Sequence, residues 1–191
     1  MKIKLMKRLL HYSTYLLIFA FVGLQLTSCK SSPYGEKVKE PFSGSNYESN
    51  NKWFRAVGKA SSSKDNIAKS KADMAAKTEL AGQLNTSVKK VADQYLGQTE
   101  NENAADVADK FQSLSREVMN TSMADLRKIG EEKYYDGEKY TVFIAYEIKK
   151  NAMFRYLKKQ AKVSDKLNDA ERKSIEEMID QELAKLEAEE D

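Results

Sequence analysis

Two kinds of apolar pattern occur along the chain. Near the start the apolar residues are contiguous, Leu16-Leu-Ile-Phe-Ala-Phe-Val-Gly-Leu24. From Trp53 onward they are periodic, and the period switches between that of a strand and that of a helix. Trp53–Ala60 alternates, imperfectly, and predicts a strand. Ser61-Ser-Ser63 with Asp65 behind it supplies an N-cap and a first-turn acid, so a helix is expected to start there. Ala68, Ala72, Ala75 and Ala76 give it a face of small side chains suited to lying close on a sheet. Leu80, Leu84, Val88, Val91 and Tyr95 extend the stripe at helical spacing, and Gly97 is the expected C-cap. After a polar connection, Gln98 to Asn103, the residues Val107, Phe111, Leu114 and Val118 predict a second helix.

The period then returns to two. Tyr140, Val142, Ile144, Tyr146 and Ile148 alternate, and Thr141, Phe143 and Ala145 on the opposite side are apolar enough to predict a strand buried on both faces. Tyr134-Tyr-Asp-Gly137 marks a hairpin, because Asp-Gly supplies the positive φ angles of a tight turn. Its first strand is expected near Leu126–Tyr135, with the register open between two- and three-residue turns. A third helix is expected from about Asn151, with Met153, Phe154 and Leu157 on one side. Beyond Ser164 the chain is highly charged, and Ile175, Met178, Ile179, Leu183 and Leu186 form a narrow stripe on a final helix. The stripe is under two heptads, too short for a coiled coil, and is expected to pack on the body ahead of fraying or pairing with a partner. Strands and helices segregate, which predicts an α+β fold. The expected architecture is a small antiparallel sheet of about three strands packed with long helices, in the order β-α-α-β-β-α plus a C-terminal helix.

The contiguous run has its own meaning. Lys2, Lys4, Lys7 and Arg8 precede it, which is the layout of a secretory signal peptide. Leu26-Thr27-Ser28-Cys29 then resembles the lipobox of bacterial lipoproteins: a branched apolar residue, two small residues and the cysteine. That resemblance implies cleavage before Cys29, a thioether-linked diacylglyceryl group on its sulfur, and N-acylation such as palmitoylation of the new terminus. Acyl chains anchor stably because each buried CH₂ contributes ~0.8 kcal/mol. Lys30, in the position where Asp retains lipoproteins of enteric bacteria in the inner membrane, is compatible with the outer membrane, and the periplasmic face is expected ahead of the cell surface. Pro33, Pro41 and runs such as Ser43-Gly-Ser-Asn46 read as a flexible linker with an r.m.s. span of roughly 25 Å. The expected division is residues 1–28 signal peptide, 29–51 lipidated cysteine and linker, 52–160 folded domain and 161–191 charged helix.

Cleavage also changes the charge. The formal net charge of +3 would fall to about −1, so the precursor's basic balance is no warrant for a nucleic-acid partner. The one histidine, His11, would leave, and the one cysteine would be residue one. That leaves no internal disulfide, no Cys/His zinc site, no Cys–His nucleophile and no Ser–His–Asp triad, and no cofactor is expected. Two Ser-x-x-Lys matches, Ser61…Lys64 and Ser87…Lys90, lack the Lys-Thr-Gly and Ser-x-Asn elements that the penicillin-recognising enzymes also need. Acidic neighbours such as Glu131-Glu132 and Glu189-Glu190-Asp191 read as solvated charges, since glycosidase carboxylates must face each other across a cleft. Tyr134, Tyr135, Tyr140 and Tyr146, with Trp53, are expected to serve core or sheet packing ahead of forming a binding face.

Trp53…Gly58, Ala68-x₃-Ala72…Ala76-x₂-Glu79-Leu80-Ala81 and Tyr135-Asp-Gly-Glu-Lys-Tyr-Thr-Val-Phe-Ile-Ala-Tyr-Glu147 together resemble the LPP-twenty family of small bacterial lipoproteins. A similar domain opens flagellar assembly protein T. The resemblance covers roughly residues 52–160. It departs after Leu84, where the family often shows alternating valines and this chain has Asn85-Thr-Ser-Val-Lys-Lys90. It implies an envelope-associated, non-catalytic domain and carries over no functional residue except Cys29. The expected function is a membrane-tethered interaction or assembly module, with an envelope protein or a second copy as partner. The alternative is a module that binds a small ligand or glycan through the tyrosine-rich hairpin.

Overall fold

The strand with two apolar faces becomes the centre of the sheet. The computed structural model describes residues 35–36, 38–121 and 125–189, with the backbone alone at 120 and 121. Among them are three strands, β1 (Trp53–Ser62), β2 (Arg127–Tyr135) and β3 (Tyr140–Lys149), and four α-helices, α1 (Asp65–Gln98), α2 (Ala104–Thr121), α3 (Lys150–Val163) and α4 (Asp169–Ala188). The sheet is antiparallel in the order β1-β3-β2, so the fold is α+β with an all-antiparallel sheet. β3 is buried along most of its length, as its double apolar alternation predicts.

The first half of α1 lies across one face of the sheet and the second half continues into a helical layer. Ala68 and Ala72 pack with Val142 and Ile144. Leu80, Leu84 and Val88 join Val107 and Phe111 of α2, Phe154 and Leu157 of α3 and Ile175 and Ile179 of α4 in the main core, with Phe54 and Ile148 closing it from the sheet. The small-residue face works at one point above all. A Cβ on Gly58 would lie inside the Ala72 carbonyl and 2.6 Å from the Ala76 nitrogen, so β1 and α1 touch backbone to backbone.

Several boundaries differ from those read in the sequence. Ser61 and Ser62 end β1 and do not cap α1; the N-cap residue is Lys64, with no side-chain bond, and Ser62 Oγ accepts from the Lys64 N–H at 3.2 Å. Ala75 points to solvent, because the buried row is 68, 72, 76, 80 at spacing four. Gly97 is inside α1, which ends at Gln98 with Thr99 as its C-cap in extended conformation. The hairpin turn has four residues, Asp136–Lys139, and pairs Tyr135 with Tyr140. Of the Asp-Gly pair only Gly137 has a positive φ, of 101°. Asp136 instead accepts the Glu138 and Lys139 N–H groups on its Oδ1 at 2.9 and 2.8 Å.

The largest difference concerns the stretch expected to be linker. The unit Glu40–Asp191 is compact from Glu40 on. Residues 40–49 form a strap across the face of the sheet that α1 leaves open. The Phe42 ring lies on Gly130, 5.1 Å from the Tyr47 ring, and Glu40 pairs with Lys59. Short polar residues allow the strap its bends, and one aromatic fixes it to a glycine of β2. In the preceding unit, Met1–Lys39, the described residues 35, 36, 38 and 39 are exposed and have no regular structure.

The charged C-terminal segment packs on the body. Asn168 and Glu171 form a reciprocal capping box at the start of α4. The Arg172 guanidinium donates to the carbonyls of Ala161, Ser164 and Leu167 at 3.2, 3.0 and 3.1 Å, which holds the α3–α4 corner. Ile175, Met178, Ile179, Leu183 and Leu186 are all buried. No helix among the described residues is long and apolar enough to cross a membrane.

Candidate functional site

Strand register gathers an unusual set of side chains at one end of the open sheet face. Trp53 of β1 stands opposite Lys149 of β3, and Glu147 of β3 stands between Arg55 of β1 and Arg127 of β2. Alternation puts all five on the same side of the sheet. The Trp53 ring centroid lies 5.7 Å from the Arg55 guanidinium, 5.4 Å from that of Arg127 and 5.4 Å from Lys149 Nζ, within reach for cation–π attraction.

Glu147 is the anchor of this cluster and is 5% exposed. Arg55 Nε donates to its Oε2 at 3.0 Å and Arg127 Nη2 donates to its Oε1. Burial pushes its carboxyl pKa up, but the hydrogen bonds from Arg127 and Arg55 outweigh that and hold it below the ordinary glutamate value. Arg55 is also fixed to the Glu48 carbonyl of the strap at 3.2 Å. The two arginines differ in exposure: the Arg55 side chain is 14% exposed and that of Arg127 68%.

Beside this cluster is a cleft of about 360 Å³ lined by Trp53, Asp125, Leu126, Arg127, Lys149 and Ala152. β1, β2, β3 and the first turn of α3 each contribute a wall. Arg55 and Arg127 share one buried carboxylate and Lys149 adds a third cation, so the cleft keeps a positive excess that Asp125 only partly offsets. A guanidinium carries five N–H donors, and Arg127, which lines the cleft and is 68% exposed, spends one of them on Glu147. The arrangement suits anion recognition next to an apolar wall. It does not suit proton transfer, since a doubly clamped, ionised glutamate is a poor acid or base at neutral pH.

The sequence candidates fall elsewhere. Leu26, Thr27, Ser28 and Cys29 lie outside the described residues. The four tyrosines do not share one face. Tyr134 is on the strap side, edge-on to Phe143 with centroids 5.9 Å apart. Tyr135 and Tyr140 are on the α1 side, 4.6 Å apart. Tyr146, also on that side, donates its hydroxyl to Asp73 Oδ1 of α1 at 2.5 Å. Burial first, and then the Asp73 carboxylate, push the Tyr146 pKa up to about 12. Ser61 bonds Thr141 across the strands at 2.8 Å. Glu131 pairs with Lys69 at 2.6 Å and Lys128 at 2.5 Å, while its neighbour Glu132 faces the other side and accepts from Tyr134. Among the described residues no group of His, Cys, Asp and Glu is placed to hold a metal ion.

Arg55, Arg127, Glu147 and Lys149 escaped the sequence reading. The available signal was the pair of alternate-position motifs, Trp53-x-Arg55 and Glu147-x-Lys149, on strands expected to be neighbours. Arg127 could not have been added, because its place depends on a four-residue turn and on a register shift between Lys128 and Gly130. Comparison with family models, curated proteins and solved structures gives no match to the chain.

Proposed function

We propose that the protein is a bacterial envelope lipoprotein, anchored through Cys29 in the outer membrane and carrying its folded unit on the periplasmic side. It works there as a non-catalytic interaction or assembly module of the LPP-twenty type. The lipobox-like Leu26–Cys29 supports the anchoring. The observation that supports binding as its mode of action is the cationic cleft beside Trp53, where Glu147 holds Arg127 in place and Arg127 and Lys149 are exposed. Preorganised charged and aromatic side chains of this kind are what binding hot spots are made of.

Two experiments test this reading. Cys29→Ala is expected to leave an unlipidated precursor lost from the membrane fraction; normal processing and membrane retention would defeat the lipoprotein claim. For the binding claim, a photo-cross-linking amino acid is placed at Ala152 in the cleft, or at the exposed Ala75 as control, in the full-length chain in cells. A discrete product from position 152 alone is expected. Identical patterns at both positions, or none at either, would remove the cleft as the working surface.

A further inference from the structure

We propose that the Trp53 cleft binds an acidic segment of a protein partner, in which carboxylate side chains flank an apolar one. This rests on the reading of the protein as a binding module and names the chemistry of its partner.

The lining supports this class of ligand. Arg127 and Lys149 both line the cleft, each 5.4 Å from the Trp53 ring centroid, and the planar guanidinium of Arg127 matches a carboxylate in geometry. Leu126, Ala152 and the Trp53 ring supply apolar lining beside the cations. A carboxylate and an apolar side chain on neighbouring positions of a peptide would therefore both be matched. Asp125 on the rim works against a densely charged anion, in which every group is negative, more than against single carboxylates spaced along a chain.

Trp53 is the only tryptophan in the chain, so its emission reports on the cleft directly. The full chain is titrated in parallel with a capped Glu-Asp-Leu-Glu-Asp peptide, the same peptide with Gln and Asn for the acids, inorganic phosphate, and vesicles of phosphatidylglycerol and phosphatidylethanolamine. Calorimetry of the same mixtures covers the case of binding that leaves emission unchanged. Saturable binding of the acidic peptide alone is expected, weakening at least tenfold in Lys149→Glu and falling with added salt. Lys149 is exposed, and a thermal melt checks the variant's fold; Lys149→Gln replaces it if the melt is lost. Absence of both signal and heat with the acidic peptide, equal binding of its amide counterpart, or binding of phosphate or vesicles alone would overturn the proposal. Failure here with a discrete cross-link still formed at position 152 would refute the acidic ligand and leave the binding role standing.

Discussion

The two edge strands of the sheet solve the same problem by different means. Both present a row of backbone groups that could pair with another chain. β1 plugs its edge with side chains from elsewhere. Ser49 Oγ accepts the Arg55 N–H at 2.8 Å, and Gln83 Nε2 donates to the Arg55 carbonyl at 3.0 Å. Its inward face is buried at Phe54 and Ala56 and touches α1 without intervening side chains at Gly58. β2 uses charge and irregularity: Lys128, Glu131, Glu132 and Lys133 line it, and its ladder shifts between Lys128 and Gly130. It is held to α1 by ion pairs at successive turns, Asp65–Lys133 at 2.5 Å and Lys69–Glu131 at 2.6 Å, on partly exposed side chains. β1 is therefore fixed by packing and β2 by the β3 ladder plus solvated charge. Packing is worth kilocalories here and exposed ion pairs are worth tenths.

The sharpest test of this contrast compares two glycines. Gly58→Ala drives a Cβ into the α1 backbone, which cannot give locally, and is expected to destabilise the fold by about 3 kcal/mol. Gly130→Ala meets only the Phe42 ring of the strap, its Cβ falling 2.6 Å from Phe42 Cζ, 2.9 Å from Cδ1 and closer still to Cε1. A ring on a bent strap can move, so the expected loss is about 1 kcal/mol, with faster proteolysis around residues 40–49. Urea unfolding and limited proteolysis of both variants check this; equal losses would mean that the strap is as rigid as the helix.

Glu147 is a carboxylate that both edge strands share, through Arg55 and Arg127, and it allows a finer comparison. Arg55→Ala removes a donor that is nearly buried and also bound to the strap, and should cost about 2 kcal/mol. Arg127→Ala removes an exposed partner of the same carboxylate and should cost about 1 kcal/mol or less. Because the folded pKa of Glu147 is lowered, its contribution is complete above the ordinary glutamate value and is lost as pH falls through the folded one. The Arg55→Ala deficit should therefore shrink in acid, as thermal melts between about pH 6 and 3 would show.

How much of this was legible before the structure depends on what kind of contact carries it. The α1 stripe Leu80, Leu84, Val88, Val91 and the two-sided β3 were readable because burial imposes a period on the sequence. Gly58 was visible only as part of the family-like motif, and its backbone contact with α1 was not. The strap was not, since Pro41, Ser43, Gly44 and Ser45 have linker composition and its contacts come from scattered residues, Phe42 on Gly130, Glu40 with Lys59, and Glu48 and Ser49 with Arg55. The cleft was half visible. Trp53 stood out, while its cations are ordinary lysines and arginines among 32 in the chain, distinguished only by register.

On the α1 side of β3 the contrast can be followed through one hydroxyl. Tyr146 bonds Asp73, which also accepts from Lys77 Nζ at 2.7 Å. Tyr146→Phe is expected to cost about 1 kcal/mol at neutral pH. The folded pKa of about 12 is above the ordinary 10.0, so this contribution is present below pH ~10 and is lost as pH rises toward 12. Stability curves of the parent and Tyr146→Phe should converge over that window; parallel curves would mean that the bond to Asp73 is not formed in solution.

The smallest expected effect bears most directly on β2. Lys133→Ala breaks the pair with Asp65, whose side chains are 40% and 45% exposed, and should change stability by no more than about 0.5 kcal/mol. If β2 depends on the β3 ladder and not on its charges, the whole set Lys69, Lys128 and Lys133 can be replaced by glutamine with a loss of about 1 kcal/mol in total, roughly additive because exposed pairs couple weakly. Hydrogen exchange then locates the consequence. Amides of β2 that face away from β3 should exchange through local opening in parent and variant alike, while β1 and β3 amides follow global unfolding. A triple variant that melts as a unit far below the parent would show that the α1–β2 ion pairs act as a network, and would put β2 on the same footing as β1.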